Sequence, residues 1–364
     1  MFNYNIHNII KVQSEVILHE LTYFETHSLE DPDIILRART IFTDRDMIKF
    51  NSKRKLLKKD INSNKDGKKE VKYSEHFGPI GAEFSIKFYK KPIEITINRF
   101  ISLSKHVVYV NLIEPLLRFL FISKGYILLH SACMSIENNG FLLSAPPDTG
   151  KTTSVIKCVQ RNLEFLSDDM TIIRLPDEAL CFPKPMTISA HTFRTAVDTT
   201  HGQEYNTLGM KLRSFVHSKG GRSFMHRLGD KNVPIFTFNV LGQSIIKPPK
   251  FDIRSFLPNT LIRKKTNVKT LYFLEKTESN EIKELDKQTA LSYAIENSDD
   301  AFLFPPYSEL VNHIEIEGKT AKELLNEERM MLEKLLSQIK CYALRSSDRS
   351  WYKTLLAQSQ GNVI

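Results

Sequence analysis

Residues 141–153 read Phe141-Leu-Leu-Ser-Ala145-Pro-Pro-Asp-Thr-Gly150-Lys151-Thr152-Thr153. The apolar start of this stretch predicts a strand, and Gly-Lys-Thr after a tight loop predicts the beginning of a helix. This order is typical of a loop that binds the phosphates of a nucleotide. Gly150 lets the backbone approach a phosphate closely, and the helix start offers N–H groups and a positive dipole end. In this pattern Lys151 reaches the β- and γ-phosphates, and the Thr152 hydroxyl ligates Mg²⁺.

The candidate nucleotide-binding residues belong to this loop and to the first helical turn. They are Ala145, Asp148, Thr149, Gly150, Lys151, Thr152 and Thr153. Ala145 stands where a glycine is usual, which is a conservative change. Pro146 and Pro147 have no N–H, so they remove two donors from the phosphate cradle. We predict binding of ATP with Mg²⁺, and we expect other donors to replace those that the prolines lack.

The positive charge of the chain is unevenly distributed. The 364 residues carry a net charge of +9, and the segment from Lys53 to Lys72 contains nine basic residues but only three acidic ones. Such a segment is typical of a solvated hairpin tip, and a patch for nucleic acid or another acidic partner is the alternative. Because aromatic residues are not interleaved with the lysines, we expect no nucleic-acid partner.

Cysteine usage and hydropathy favour a cytoplasmic protein without a membrane span. The four cysteines are scattered and form no Cys-x-x-Cys pair or cluster with histidine, so neither zinc nor a disulfide framework is predicted. The N-terminus lacks the basic and apolar parts of a signal peptide. Charged residues and a proline interrupt the most apolar region, 107–133, well short of the roughly 18 uninterrupted residues that a membrane helix needs.

Two domains are predicted, one over residues 1–105 and the other over residues 106–364. In the first hundred residues, short segments rich in β-branched and aromatic residues alternate with turn signals, which predicts a mostly β N-terminal domain. The predicted strands are Ser14–Leu21, Ile34–Thr40, Met47–Asn51, Glu70–Tyr73, Ala82–Tyr89 and Ile93–Phe100.

The second region mixes helices and strands, which predicts an α+β or α/β fold with a mixed sheet. Strands are expected at 107–112, 126–136, Gly140–Ser144, Glu164–Leu166, Met170–Leu175, Ala179–Phe182, Thr270–Glu275 and Cys341–Arg345. Helices are expected at 114–123, Thr152–Gln160 and Thr320–Ile339. The last helix is amphipathic, and its apolar face predicts packing within the chain, with a homo-oligomer as the alternative.

Two acidic residues and a histidine add chemistry to the predicted phosphate site. Asp168 and Asp169 follow the next apolar strand, 17 residues after Lys151. Phosphoryl transfer uses one carboxylate to hold Mg²⁺ and another to accept a proton, although Asp-Asp is also ordinary turn chemistry. His130 lies on the preceding strand, where it is either a buried structural residue or a group that binds phosphate or helps to move a proton.

These residues together resemble a known family. His130-Ser-Ala, the Gly140–Thr152 segment and Phe165-Leu-Ser-Asp168-Asp169 are similar to the catalytic core of HPr kinase/phosphorylase, whose nucleotide site is shared with ATP-dependent phosphoenolpyruvate carboxykinase. The resemblance covers about residues 126–175. It implies a carboxykinase-type P-loop kinase core, with Lys151 on the phosphates, Thr152 and Asp169 on Mg²⁺, Asp168 as the base toward the acceptor hydroxyl, and His130 near the transferred phosphoryl group.

The departures from the family pattern affect the expected substrate. The loop contains Pro146 and Pro147, and Thr153 replaces an acidic residue that often follows the Gly-Lys-Ser of the family. The resemblance therefore implies a kinase of this type that acts on a serine of a peptide or protein, or on a small molecule, rather than on HPr. Arg222, after Gly220-Gly221, is the candidate that would stabilise charge on the γ-phosphate.

Three alternatives to the kinase stay open at the level of the sequence. The prolines of the loop suit a nucleotide-regulated binding or adaptor module with weak ATPase activity. A carboxykinase-like enzyme that acts on oxaloacetate shares the nucleotide site, although no second set of metal ligands is evident. Phosphorylation of nucleic-acid ends rests only on the basic surplus.

Overall fold

The computed structural model describes residues 1–39, 57–63, 70–77, 80–88, 91–146, 149–187, 233–245, 250–302 and 305–359. The chain forms two compact units. Unit 1 comprises Met1–Lys124, Gly221–Pro248 and Leu303–Leu325, and unit 2 comprises Gly125–Gly220, Pro249–Phe302 and Asn326–Ile364. The domain limits expected from the sequence, 1–105 and 106–364, stay a prediction.

Unit 1 contains a seven-stranded mixed sheet. Its strands are β1 (Phe2–Ile6), β2 (Ile10–Ser14), β3 (Ile34–Arg39), β4 (Leu57–Ser63), β5 (Glu70–Phe77), β6 (Ile80–Lys87) and β7 (Ile93–Asn98). Their order across the sheet is β1-β2-β3-β7-β6-β5-β4. β3 pairs in parallel with β2 and β7, and the other neighbours are antiparallel. Along β7 alternate residues are buried, as expected where one face of a sheet covers a core.

The remaining described elements of unit 1 are mostly helical. They are the 3₁₀ helices His19–Phe24 and Val311–His313, the helices Arg99–Ser102, Lys105–Ser123, Ile235–Ile245 and Tyr307–Leu310, and a hairpin of β18 (Glu315–Ile316) with β19 (Lys319–Thr320).

Unit 2 contains a nine-stranded mixed sheet among the described residues. Its strands are β8 (Tyr126–Leu129), β9 (Ala132–Ile136), β10 (Asn139–Ser144), β11 (Glu164–Ser167), β12 (Thr171–Arg174), β13 (Glu178–Leu180), β16 (Lys265–Lys276), β17 (Glu281–Glu284) and β20 (Lys340–Ser346). The order is β11-β9-β10-β16-β13-β12-β8, and β20 pairs with both β16 and β17. β16 runs parallel to β10 and to β20, which places the carboxyl ends of these three strands at one edge.

Helices cover both faces of the sheet of unit 2. Alternate residues of the strands enter two separate hydrophobic clusters, which follows from the period of two along a strand. The first cluster includes residues of the helices Lys151–Val159 and Trp351–Ser359, and the second includes residues of the helices Lys287–Phe302 and Ala321–Gln338. A short helix, Ile253–Phe256, and a two-stranded pair of β14 (Met186–Thr187) with β15 (Lys250–Phe251) complete the described part of this unit.

The coarse fold class expected from the sequence is confirmed, because the protein combines helices with mixed sheets. The apolar residues of the predicted amphipathic helix also pack within the chain, since Leu332, Leu335 and Leu336 lie in the second cluster of unit 2. The predicted strand Met47–Asn51 lies outside the described residues.

Three local predictions were wrong. Residues 107–112 are helical, within Lys105–Ser123, because a segment that is apolar on every side has no periodicity that separates a buried helix from a buried strand. Residues 126–136 form two strands, separated at His130-Ser131, where the Ser131 N–H donates to the Leu129 carbonyl at 2.8 Å. The segment Ser14–Leu21 was predicted as a strand, but strand β2 ends at Ser14. The Oγ of Ser14 accepts a hydrogen bond from the Val16 N–H at 3.0 Å, and this local bond turns the chain.

One helix within the described residues has the length and composition of a membrane span. It is Lys105–Ser123, and 83% of its most apolar window is buried inside the protein. Burial of this extent is what a core helix shows, so the finding agrees with the expected lack of a membrane span.

Candidate functional site

The loop between β10 and the helix Lys151–Val159 is held close to the C-terminal helix. Gly150 has φ +123° and ψ 18°, a conformation that residues with a Cβ rarely adopt. A Cβ at this position would lie 2.9 Å from a ring carbon of Trp351, which is buried and is the only tryptophan of the chain. Gly150 is thus required both by the backbone angle and by the indole that packs against it.

The helix that follows begins without a side-chain cap. Gly150 is its N-cap residue and has no side chain to accept the first N–H groups. Such groups at the start of a nine-residue helix, together with the helix dipole, favour an anion. Before the helix, Ala145 is buried in the core, and the Thr149 hydroxyl donates to the Pro146 carbonyl at 2.7 Å.

Asp168 is a buried carboxyl group that faces the start of this helix. It follows the end of β11 and accepts a hydrogen bond from the Thr152 hydroxyl to its Oδ2 at 3.0 Å. Its Oδ1 is buried and has no hydrogen-bond partner in the described part of the chain. Burial raises the pKa of Asp168 to about 6, and the negative charge of Asp169 acts in the same direction.

Asp169 is surrounded by three basic side chains. Its carboxylate lies 2.7 Å from Lys184 Nζ, 3.4 Å from His130 Nε2 and 3.9 Å from Lys151 Nζ. Partial burial opposes ionisation, but the positive charges of Lys184 and Lys151 outweigh it and hold the pKa of Asp169 well below its usual range. With 45% of its side chain accessible, Asp169 is an anion that a ligand can reach.

Lys151 is a buried ammonium group without a hydrogen bond. Only 11% of its side chain is exposed, and no described residue is a hydrogen-bond partner of its Nζ. Burial lowers the pKa of Lys151, while Asp169 and Asp168 oppose that shift. A buried cation without a hydrogen-bonding partner is costly, and an anionic ligand would remove that cost.

His130 has a defined ring orientation. Its Nδ1 lies 2.9 Å from the backbone oxygen of Asn297, and because a carbonyl only accepts, Nδ1 carries the hydrogen. Burial, followed by the charge of Lys151, lowers the pKa of His130, which favours the neutral ring. Nε2 lies 3.4 Å from the Asp169 carboxylate, which accepts a hydrogen bond from it only when the ring is protonated.

Hydroxyl and amide groups fix the backbone on which these side chains stand. The Ser144 hydroxyl donates to the His130 carbonyl at 3.2 Å, and the Asn297 amide donates to Ser144 Oγ at 3.1 Å. Thr171 Oγ1 donates to the Ser131 carbonyl at 2.9 Å. These bonds connect the ends of β8, β10 and β12 to the helix Lys287–Phe302.

The structure brings together five residues that the sequence proposed for the site. These residues are His130, Lys151, Thr152, Asp168 and Asp169. Asp168 accepts a hydrogen bond from Thr152, and its neighbour Asp169 lies close to His130 and Lys151. Thr153 lies in the first helical turn, and Thr149 in the preceding loop. Asp148 and Arg222 fall outside the described residues.

Two residues of the site were missed in the sequence, Lys184 and Asn297. Lys184 is 7% exposed, although a lysine is almost never buried without a partner. Its only signal in the sequence is its position between Pro183 and Pro185. Asn297 acts through its backbone carbonyl and its amide, and a helical asparagine 167 residues after His130 gives no signal of such a role.

The described residues fit Mg²⁺ bound together with phosphates. No group of three or more His, Cys, Asp or Glu side chains that could hold a metal occurs among them, so an all-protein cage is not formed there. Mg²⁺ usually takes one or two carboxylates with substrate phosphates and water. Asp168, which accepts a hydrogen bond from the Thr152 hydroxyl and has an orphaned oxygen, and the neighbouring Asp169 supply two carboxylates that match this donor set.

No model of a known protein family matches the chain, and no curated protein matches it. The class of protein therefore has to be inferred from the site.

Proposed function

We propose that the chain is an ATP- and Mg²⁺-dependent phosphotransferase that moves the γ-phosphoryl group of ATP to a hydroxyl group. The acceptor is a serine of a peptide or protein, or a small molecule, and the fold of unit 2 is the kinase core of the HPr kinase/phosphorylase type. The main support for this proposal is a pair of buried, oppositely charged groups. Lys151 Nζ and Asp168 Oδ1 both lack a hydrogen-bonding partner among the described residues. Nearly all buried polar atoms of native proteins have a hydrogen-bond partner, and a bound nucleotide with its metal ion would supply partners for these two.

Each side chain has a role that its surroundings support. Lys151 and the start of the helix hold the phosphates, because both are unsatisfied donors at one place. Thr152 and Asp169 would hold Mg²⁺, and a cation bound there would draw electron density from the phosphates. Asp168 accepts a proton through Oδ1, and a pKa of about 6 suits a proton acceptor near neutral pH.

The transfer step balances within these groups. The acceptor oxygen forms a bond to the γ-phosphorus as the bond from that phosphorus to the β–γ bridging oxygen breaks, and ADP leaves. The acceptor proton moves to Asp168. Lys151 and Lys184 provide positive charge near the phosphates, and His130 lies beside Asp169.

The test is transfer from ATP labelled in the γ-phosphate to a panel of peptides, proteins and small hydroxyl compounds. We expect labelled product with the wild-type protein and loss of product with Lys151→Ala. Lys157→Ala, on the same helix, is the matched control and should keep the activity. Tight ATP binding without transfer to any acceptor would contradict the proposal.

One observation favours a second candidate, a nucleotide-regulated binding module. Lys184 already forms a 2.7 Å ion pair with Asp169. If Lys184 holds this carboxylate permanently, Mg²⁺ cannot use it and hydrolysis stays slow. Strong ATP affinity that does not depend on Mg²⁺ would support the module, whereas a marked gain in affinity with Mg²⁺ supports the phosphotransferase.

A further inference from the structure

A cavity of about 470 Å³ opens beside the loop that follows β10. Pro146 and Thr149 of this loop line one end of it. Phe273 and Leu274 of β16 also line it, together with Tyr293 of the helix Lys287–Phe302. Its volume is in the range of pockets that hold small organic ligands.

The sheet explains why the cavity lies next to the loop. β10 and β16 are parallel, and Ser144 pairs with Phe273. The residues after Phe273 therefore continue beside the loop that starts after Ser144, at the carboxyl ends of the strands. Asn297 also lines the cavity, and its carbonyl accepts the hydrogen bond from His130. One residue thus joins the cavity to the candidate phosphate site.

The chemistry of the lining suits a flat aromatic ligand with polar edges. Phe273 and Leu274 are buried and apolar, and Tyr293 and Arg349 add an aromatic ring and a guanidinium group that can stack on a heterocycle. Thr277 adds a hydroxyl group. Glu275 does not make the cavity a cation site, because Arg345 Nε donates to its carboxylate at 2.9 Å.

The cavity lies away from the reacting groups. Its described lining includes Pro146 and Thr149 but not Lys151, Asp168, Asp169 or His130. A hydroxyl acceptor has to meet the carboxylates, whereas the nucleoside of the donor lies at the other end of the triphosphate. The position therefore favours the nucleoside over the acceptor.

We propose that this cavity binds the base and ribose of the nucleotide whose phosphates lie on the Gly150-Lys151 turn. The inference rests on the proposed function, since it assumes a phosphate site at that turn. It assigns Tyr293 and Thr277 to recognition of the nucleoside and leaves phosphate binding to other residues.

The test compares the affinity for ATP with the affinity for inorganic triphosphate, both with Mg²⁺, by titration calorimetry. Thr277→Phe places a ring in the cavity and should weaken ATP binding about tenfold or more, while triphosphate binding stays within about twofold. Ser279→Phe adds the same ring at an exposed position outside the lining and should change neither affinity. Tyr293→Leu removes the aromatic wall and should weaken ATP selectively, by about fivefold.

The outcomes separate the two proposals. Wild-type protein that binds triphosphate as tightly as ATP, or variants that bind ATP like wild type, would overturn the nucleoside assignment and leave the phosphate site standing. If Thr277→Phe loses both ligands through misfolding, Tyr293→Leu decides the question. Wild-type protein that binds neither ligand would remove the proposed function itself.

Discussion

Lys184 is the closest cation to Asp169 and is buried, so we assign to it a share of the phosphate site. Replacement by methionine keeps the length of the side chain but removes the charge that offsets Asp169. We expect Lys184→Met to weaken ATP binding about tenfold or more, since the phosphates would then lose a nearby cation and meet a less compensated carboxylate. Fluorescence of Trp351, which packs against Gly150, gives the affinity.

Two further variants test whether the charge of Lys184 supports ATP binding. Lys184→Arg keeps the charge and should recover part of the affinity. Lys353→Met removes an exposed lysine of the C-terminal helix and should behave as wild type. Equal affinities for Lys184→Met and Lys353→Met would show that Lys184 takes no part in phosphate binding.

A second prediction concerns the substitution of Gly150 by alanine. Gly150→Ala forces a Cβ into a backbone with φ +123° and to 2.9 Å from Trp351, so both the loop and the indole have to move. We expect a loss of stability of about 2 kcal/mol or more together with loss of ATP binding. Thermal unfolding and calorimetry with ATP measure the two effects.

Gly125→Ala is the matched control for Gly150→Ala. Gly125 also has positive φ, +78°, but an added Cβ there would meet nothing within 4 Å. This variant should lose about 1 kcal/mol from the backbone alone and keep ATP binding. Similar losses of binding in both variants would contradict the role given to the Gly150–Trp351 contact.

The C-terminal helix Trp351–Ser359 supports the phosphate site as an element. Trp351 and Leu355 are buried in the same cluster as Val155 and Val159 of the helix that begins at Lys151. Trp351→Ala should destabilise unit 2 by about 3–5 kcal/mol, the usual cost of emptying a buried aromatic site. Lys353→Ala, on the exposed side of the same helix, should stay within about 0.5 kcal/mol of wild type in urea unfolding. A small effect of Trp351→Ala would mean that this helix does not support the loop.

Elements with their own periodicity or motif could be predicted from the sequence. β10, the helix at Lys151 and the strand before Asp168 each have an apolar run bounded by glycine, aspartate or asparagine. The helix at 105–123 could not be distinguished from a strand, because apolar residues occupy all its sides. The break at His130-Ser131 could not be predicted for a related reason. β8 and β9 are both apolar, and they differ only in the strands with which they pair, β12 for β8 and β10 for β9.

For the site as well, contacts between distant segments could not be predicted from the sequence. Asp168, Asp169 and Thr152 are close in sequence to the glycine-lysine motif and were found through it. Lys184 reaches Asp169 only because the chain returns after β13, and Asn297 meets His130 only because β16 lies beside β10. Such pairings depend on the order of strands in the sheet, which local patterns do not encode.

At the scale of the whole molecule, unit 1 has a pH response of its own. Glu75 is buried and accepts hydrogen bonds from the Thr237 N–H at 2.6 Å and the Tyr73 hydroxyl at 3.1 Å. Burial raises the pKa of Glu75 from 4.5 to about 7. A raised folded-state pKa gives stability that is full below pH 4.5 and is lost as the pH rises through 7.

Urea unfolding at pH 5 and pH 8 measures this response. Wild type should lose stability over the interval, and Glu75→Gln should lose less, by up to about 3 kcal/mol, because glutamine does not ionise. Glu70→Gln, on the same strand, should retain the wild-type dependence. Equal pH dependence for Glu75→Gln and wild type would contradict the assignment.

The central claim is that the buried carboxyl group of Asp168 takes the proton from an acceptor hydroxyl while ATP is held by other residues. The most direct measurement is the rate of γ-phosphoryl transfer by Asp168→Asn beside its affinity for Mg²⁺ and ATP. Asparagine keeps the shape and can accept the Thr152 hydrogen bond, but it cannot accept the proton. We predict transfer slower by about 100-fold or more, with affinity changed by only a few-fold. Transfer at the wild-type rate by Asp168→Asn would contradict the claim.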